Sequence, residues 1–306
     1  MANETGENRA DAGGRGRMPA WLRRPIARPG AYAEVGRLIG ELDLHTVCES
    51  AKCPNRGECF SAGTATFLIM GGICTRDCRF CAVESRPPTP LDPDEPRRVA
   101  EAAKRLGLRH VVVTTVTRDD LADGGAQHFV DVISALRDAV PEASVEVLTS
   151  DFGGRMASID TVMHAAPDVF NHNVETVPRL YPEVRPQADY ERSLAVLARA
   201  REVRRDVPTK SGIMLGLGEE LDEVRAVMED LRGAGVEMLT LGQYLQPSAD
   251  HLPVARFVEP AVFGELARDG YRLGFTAVAS APFVRSSYHA GELASERGDR
   301  AAFSAE

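Results

Sequence analysis

From residue 64 to residue 243 short apolar runs alternate with segments of helical period, and that alternation restricts the chain to a parallel sheet wrapped in helices. Parallel neighbours cannot be joined by a tight turn; each needs a crossover of about a dozen residues or more, usually a helix. Six runs read as strands: 64–70 (TATFLIM), 110–116 (HVVVTTV), 144–150 (SVEVLTS), 168–173 (DVFNHN), 210–216 (KSGIMLG) and 237–243 (EMLTLGQ). Helices are expected near 95–107, where Val99, Ala102, Ala103 and Leu106 share a face, and around Phe129, Val130, Ile133 and Leu136. Others are expected near 156–166, 189–205 and 259–272, and through Leu221, Val224, Val227, Met228 and Leu231. Six units fall short of the eight that close a full barrel. The expected fold class is α/β, a partial (β/α)6 TIM-type barrel with N-terminal and C-terminal extensions, with a doubly wound sheet as the competing architecture. The apolar segment 275–284 could return beside the first strand. The expected divisions are an arm (1–17), an N-terminal extension (18–63), the partial barrel (64–245) and a C-terminal extension (246–306).

All six cysteines lie between Cys48 and Cys81, and such crowding calls for a local explanation. No run of about 18 apolar residues occurs, and the N-terminal string MANETGENRADAGGRGRMPAW has no apolar core, so neither a membrane span nor secretion is expected. The expected compartment is the cytoplasm, where thiols stay reduced and serve metal or redox chemistry. The formal net charge of -9 does not recruit polyanions, so no nucleic acid partner is expected. Residues 1–17, rich in Gly and Arg, are expected to be disordered. The apolar pair Trp21–Leu22 is expected to pack onto the domain. Nothing requires more than a monomer.

Cys74, Cys78 and Cys81 follow the first strand in the string CTRDCRFC. Three thiolates in one tight loop can grip three corners of an iron–sulfur cube, whereas a structural zinc site usually closes with four protein ligands. An iron without a protein ligand can hold a substrate or cofactor, and the loop after a barrel strand is where such folds place their chemistry. Cys48, Cys53 and Cys59 form a second set, C-x4-C-x5-C, with no cysteine left to complete it. A reducing compartment argues against disulfides, so a second cluster with a non-cysteine fourth ligand is the economical inference. Zinc completed by a distant His or Cys is the alternative.

The C-x3-C-x2-C spacing, with Phe80 before its last cysteine, resembles the motif of the radical S-adenosylmethionine (SAM) superfamily. There the open iron chelates the amino and carboxylate groups of SAM, and an aromatic residue at the position of Phe80 lies near the adenine. Residues 46–83 (TVCESAKCPNRGECFSAGTATFLIMGGICTRDCRFCAV) carry both cysteine sets in the order of the lipoyl synthases, a family of that superfamily. The resemblance continues through TRDDLADGGAQHF (117–129), NHNVETVPRLYPEVRPQADYERSL (171–194), TKSGIMLGLGE (209–219), LTLGQYLQP (239–247) and VRSSYHA (284–290). It spans about residues 18 to 290 and departs at ASAP (279–282), where the family tends to have a glycine before the proline.

The resemblance implies insertion of two sulfur atoms at C6 and C8 of an octanoyl chain held as an amide on a lysine of a lipoyl carrier domain. That carrier is the acyltransferase subunit of a 2-oxoacid dehydrogenase or the glycine cleavage H protein. Those C–H bonds are not acidic, so no ordinary side-chain base can break them. A hydrogen atom must be abstracted, with the cofactor supplying the chemistry and the protein the orientation. The implied cofactors are two 4Fe-4S clusters and SAM, two SAM molecules being used per product. Cys74, Cys78 and Cys81 would hold the cluster that cleaves SAM, and Cys48, Cys53 and Cys59 the sulfur donor. The donor's fourth ligand is by resemblance Ser287, which the sequence does not separate from Ser286. Oxygen is a poorer match than thiolate for this iron, which suits a cluster that must be dismantled. The implied partners also include an electron donor such as flavodoxin or ferredoxin and an iron–sulfur carrier.

Asn173 and Glu175, at the end of strand four, and Lys210 and Ser211, in strand five, stand where side chains could meet the SAM ribose and carboxylate; barrel-core hydrogen bonding is the other reading. Asp123-Gly124-Gly125 could bring backbone close to a ligand or start a helix. His45 and His172 are not claimed as ligands. A G-x-G-x-x-G spacing is absent, so a nicotinamide cofactor is not indicated. Two other readings stay open: a radical SAM enzyme whose second cluster relays electrons or binds substrate, and a zinc-bound structural protein.

Overall fold

Seven parallel strands stand side by side in chain order in the computed structural model, which describes residues 18–23 and 30–303. They are β1 (Phe67–Ile69), β2 (His110–Thr115), β3 (Ser144–Leu148), β4 (Val169–Asn171), β5 (Thr209–Leu215), β6 (Met238–Gln243) and β7 (Ala277–Ser280). An order that never reverses is that of an open barrel, since a doubly wound sheet turns back at a switch point. The segment expected to return beside the first strand does not do so. Ala277 instead pairs in parallel with Met238, and Ser280 with Leu241, so β7 extends the sheet beyond β6. The physical reason is the connection: one helix between two parallel strands makes a right-handed crossover that sets the second strand beside the first. The barrel therefore stays open between β1 and β7, and the outer edge of β1 carries only the short antiparallel strand His45–Thr46.

The crossover helices are α1 (Glu95–Arg105), α2 (Ala126–Ala139), α3 (Met156–His164), α4 (Tyr190–Val203), α5 (Leu221–Gly233) and α6 (Pro260–Arg272), each within the segment its apolar spacing marks. Local chemistry starts them. Asp189 caps α4 by accepting from the Arg192 N–H at 2.7 Å, and Glu220 with Glu223 forms a capping box on α5. The Asp123 carboxylate accepts from the Gly125 and Gln127 N–H groups at 2.9 and 2.8 Å, so the Asp-Gly-Gly stretch is a helix start. Outward-facing strand residues such as Val111, Val113, Val147 and Phe170 pack under α1 to α3 in one apolar cluster; Ile213, Leu215, Leu239 and Leu241 pack under α5 and α6 in another. Full burial of one such side chain contributes roughly 1.5–3 kcal/mol.

The extensions contribute helices with no expectation behind them: Ala31–Glu41, Arg56–Ser61 and Ala290–Phe303. In the last of these Leu293 is buried with Val169, Met238 and Ala277, the first residues of β4, β6 and β7, so this helix covers the underside of the barrel. Leu22 is buried, but its neighbour Trp21 is 41% exposed, so only half of that apolar pair packs. The arm at residues 1–17 lies outside the described residues.

Inside the barrel, inward side chains form layers. Val112, Thr114, Leu148, Asn173, Gly212 and Thr240 face a cavity. Nearby, Lys210 Nζ stands 2.9 Å from a Glu146 oxygen with both side chains wholly buried, and Asn171 Nδ2 donates to the same carboxylate at 3.0 Å. Burial alone would push the Glu146 carboxyl up; the charge of Lys210 and the nearby His110 outweigh it and hold it below its ordinary value. Replacing Lys210 by Met would strand that carboxylate and is expected to lower the unfolding free energy by about 3–5 kcal/mol in urea denaturation. A loss below about 1 kcal/mol would show that the charge is compensated elsewhere.

Candidate metal and cofactor site

The chain leaves β1 through Met70, whose φ of 67° is uncommon for a residue with a side chain. Glu95 at the start of α1 secures this turn: its carboxylate accepts from the Met70 N–H at 2.7 Å and lies 2.7 Å from His128 Nε2. The loop that follows carries Cys74, Cys78 and Cys81. The Cys74 sulfur accepts from the N–H groups of Thr117 and Arg76, at 3.2 and 3.4 Å. The Arg76 guanidinium forks between Asp119 and Asp151, each at 2.7 Å, and ties the loop to the upper ends of β2 and β3. Burial opposes ionisation of Asp151, yet Arg76 holds it far below the usual carboxylate range. On the far side the Arg79 N–H donates to the Val184 carbonyl at 3.0 Å, and His251 Nε2 lies 3.0 Å from the Cys81 carbonyl. The loop is thus held from both sides by these contacts.

Cys48, Cys53 and Cys59 sit in the short helices and turns that fill the gap beside β1. The segment after β7 runs through the same gap and is pinned to them: Asn55 Nδ2 donates to the Phe283 carbonyl, and the Tyr288 hydroxyl to Glu58, both at 2.7 Å. Thr66 links the two stretches. Its hydroxyl donates to Ser287 Oγ at 2.8 Å, while its carbonyl accepts from the N–H of Val47, the neighbour of Cys48, at 3.2 Å. Ser286 faces the other way and accepts from Asn173 Nδ2 at 2.6 Å. Gly212 makes room for that contact, since a Cβ there would lie 2.9 Å from Asn173 Oδ1 and 3.1 Å from Ser286 Oγ.

All six cysteines, Ser286 and Ser287 line one cavity of about 920 Å³, and so do Phe80, Asn173 and Glu175. Lys210 and Ser211 do not reach it. Lys210 is spent on Glu146, and Ser211 Oγ accepts from the Val174 N–H at 3.3 Å, so their contacts match the barrel-core reading. Glu175 has a φ of 66°, a costly conformation for a side-chain-bearing residue and one that tends to occur at functional sites. Burial pushes its carboxyl above the usual range, against the pull of Arg185. One wall residue was not singled out from sequence, and a second, His172, was named there only to be set aside as a ligand. Arg185, within the quoted EVRPQ string, donates to the Asn173 carbonyl at 2.9 Å and leaves Nε without a partner. His172 approaches the Thr149 carbonyl with Nδ1 at 2.9 Å, which puts the proton on Nδ1 and leaves Nε2 a bare acceptor.

The donor set fits iron–sulfur clusters and a polar ligand. The six thiols are free. Burial pushes Cys48 and Cys78 up to about 11 and Cys59 and Cys81 up to about 12, so their thiolates need the positive charge that bound iron provides, with release of protons. No group of three His, Cys, Asp or Glu side chains that could hold a single metal ion occurs among the described residues; a cluster asks something different, one thiolate on each of three irons. The unpartnered buried atoms on the wall, Asn173 Oδ1, His172 Nε2, Arg185 Nε and Thr149 Oγ1, await hydrogen bonds that a polar ligand can make. Among the described residues no helix is long and apolar enough to cross a membrane.

An open barrel with a three-cysteine loop after its first strand defines a class, and the radical SAM superfamily matches this chain over residues 68–231. Its members bind a 4Fe-4S cluster and SAM. The fold is similar to that of a solved methylornithine synthase (TM-score 0.53, 14% identity, 81% of this chain and 78% of that one) and of a maturase of the FeFe-hydrogenase (TM-score 0.56, 16% identity, 81% and 63%). Closer relatives are the lipoyl synthases of Methylococcus capsulatus, 59% identical over 91% of this chain and 87% of its own, and of Caldanaerobacter subterraneus, 57% identical over 90% and 96%. The chain belongs to the lipoyl synthase family.

His172 carries a pH signature. Burial first, and the charge of Arg185 after it, push its imidazole down to about 4. The unfolded chain takes up a proton near pH 6.5 that the folded protein refuses, so stability falls as pH drops from 6.5 toward 4, by up to roughly 3 kcal/mol. In His172→Gln this part of the decline is expected to vanish, which the difference between variant and parent unfolding curves measures. Parallel pH profiles would mean that the imidazole is not held neutral.

Proposed function

We propose that the protein is a lipoyl synthase that inserts sulfur at C6 and C8 of an octanoyl group carried on a lysine of a lipoyl carrier domain. The observation that carries this reading is that both cysteine triads and the serine pair open on one cavity. A reaction that needs hydrogen abstraction and sulfur delivery on the same eight-carbon chain requires that proximity. When bound, the first cluster with SAM supplies an agent able to take hydrogen from unactivated carbon, and an auxiliary cluster supplies sulfur.

The chain's own groups divide that work. Cys74, Cys78 and Cys81 hold the first cluster; Cys48, Cys53 and Cys59, with Ser287, hold the second. Ser287 is preferred to Ser286 because its oxygen meets Thr66, whose carbonyl accepts from the N–H of Val47, the neighbour of Cys48, whereas Ser286 turns to Asn173. Phe80, Asn173 and Glu175 line the SAM end, and the Arg185 charge, felt by both Cys78 and Glu175, suits a carboxylate there. Lys210 and Ser211 act from behind the wall, positioning the strand that carries Gly212. Residues 18–63 form the extension bearing the auxiliary set, 64–245 the barrel and 246–306 the return segment. The same reading brings a one-electron donor such as flavodoxin or ferredoxin, an iron–sulfur carrier, a cytoplasmic setting and a monomer.

Protein reconstituted with iron and sulfide is expected to be brown, and with reductant, SAM and an octanoyl-lysine peptide to yield a product two sulfur atoms heavier by mass spectrometry. Release of 5′-deoxyadenosine without sulfur gain would overturn the assignment in favour of a relaying cluster. Ser287→Cys is expected to keep both clusters, read as iron and sulfide content, yet slow sulfur transfer at least tenfold, while Ser286→Cys leaves the auxiliary cluster unchanged. Unaltered transfer in Ser287→Cys would remove Ser287 from the ligand set.

A further inference from the structure

A second cavity of about 870 Å³ lies beneath the barrel, between the first residues of β2, β3 and β4 and the start of the helix Ala290–Phe303. It shares Arg109, His110, Gly291 and Glu292 with the main cavity, so the two meet at a neck with the α1–β2 loop on one side and the helix start on the other. From this neck and from the lipoyl synthase reading, on which it rests, we propose that the acylated lysine arm of the carrier enters through the underside of the barrel.

Gly291 and His110 pack against each other and form one wall of the neck: a Cβ on Gly291 would stand 3.1 Å from the Cβ of His110, tighter than ordinary contact, so a larger side chain there must push into the neck. Inward of it the wall is apolar, with Leu108, Val112, Leu148 and Leu68. Outward, Arg109 and Glu292 are exposed. An apolar tail tipped inward, with an amide and a folded carrier left in water, matches that order of surfaces.

Strand β2 gives the scale. At about 3.3 Å per residue, His110 lies ~13 Å along the strand from Thr114; Thr117, whose N–H meets the Cys74 sulfur, lies past the strand's end at Thr115. Phe67 pairs with Val113, so Thr66 and the Ser287 it binds stand near the level of Val112, ~7 Å above the neck. An extended octanoyl-lysine measures about 16 Å from Cα to C8. Entering at His110, it passes Ser287 and ends between the two thiol sets. An arm coming over the top would have to part the cysteine loop from the 244–256 segment, which are joined by the Leu252 N–H to the Arg79 carbonyl at 3.1 Å and by His251 to Cys81.

The test maps the route without relying on turnover. Cluster-loaded protein carrying a photoreactive benzoylphenylalanine in place of Arg109, Lys52 or Gln246, at the underside, the side and the top, is irradiated with an octanoyl-lysine peptide and with the unacylated peptide. Adducts are expected from the Arg109 position with the octanoylated peptide, at least tenfold above the other two positions. Adducts chiefly from Lys52 or Gln246 would overturn the underside route while leaving the function intact; no preference for the octanoylated peptide anywhere would overturn the functional reading with it. In parallel, Gly291→Val is expected to weaken octanoyl-peptide binding at least tenfold with SAM binding unchanged. Unchanged peptide binding in a variant that still binds SAM would refute the neck as the passage.

Discussion

A sheet of seven parallel strands in chain order leaves an open side between its first and last members, and the site depends on how that side is filled. Backbone at an unfilled edge would lose its partners or wait for another chain. Here two segments far apart in sequence occupy the gap together, the turns that bear Cys48, Cys53 and Cys59 and the stretch from Phe283 to Gly291. Their mutual hydrogen bonds, Asn55 to Phe283, Thr66 to Ser287 and Tyr288 to Glu58, seal the barrel laterally and bring the serine pair onto the same cavity wall as the cysteines. The contacts that close the barrel are also those that assemble the site.

The second constraint is electrostatic. Thiols, carboxylates and a guanidinium gathered in a buried cavity would each resist ionisation alone. The protein meets this in two ways. Where charge serves the scaffold it is paired outright, as with Arg76 between Asp119 and Asp151 or Lys210 on Glu146. On the cavity wall it is left uncompensated: four thiols are pushed upward, Glu175 likewise, His172 is neutral, and several polar atoms lack partners. A scaffold that is electrically complete around a lining that is not is the arrangement expected of a site whose iron and polar cofactor supply the missing charge and hydrogen bonds.

Much of this was legible beforehand because it repeats locally. Short apolar runs and period-3.6 spacing located six strands and the crossover helices, since each such element buries its apolar residues within its own length. The cysteine spacing was equally readable, as thiols that share a cluster within one loop are constrained by a few residues of chain. The fate of 275–284 was not, because strand pairing depends on where the preceding helix sets the chain down. Nor were the roles of Lys210 and Ser211: a strand's alternation tells which residues face inward but not which layer is wall and which is filling. Arg185, His172 and Thr66 carry no local signal; each matters only for what the fold brings next to it.

The sequence by itself determined the class of fold, the two sets of three thiols and the kind of cofactor they can hold, because these rest on composition and spacing along a short stretch of chain. Only the tertiary structure decided that both sets share one cavity, that Ser287 meets Thr66 while Ser286 meets Asn173, and that a helix from the far end of the chain lies under the barrel. Those outcomes turn on which of two adjacent side chains points to which side of a segment, and that is set by packing across more than two hundred residues of intervening chain, as in the bond from Thr66 to Ser287.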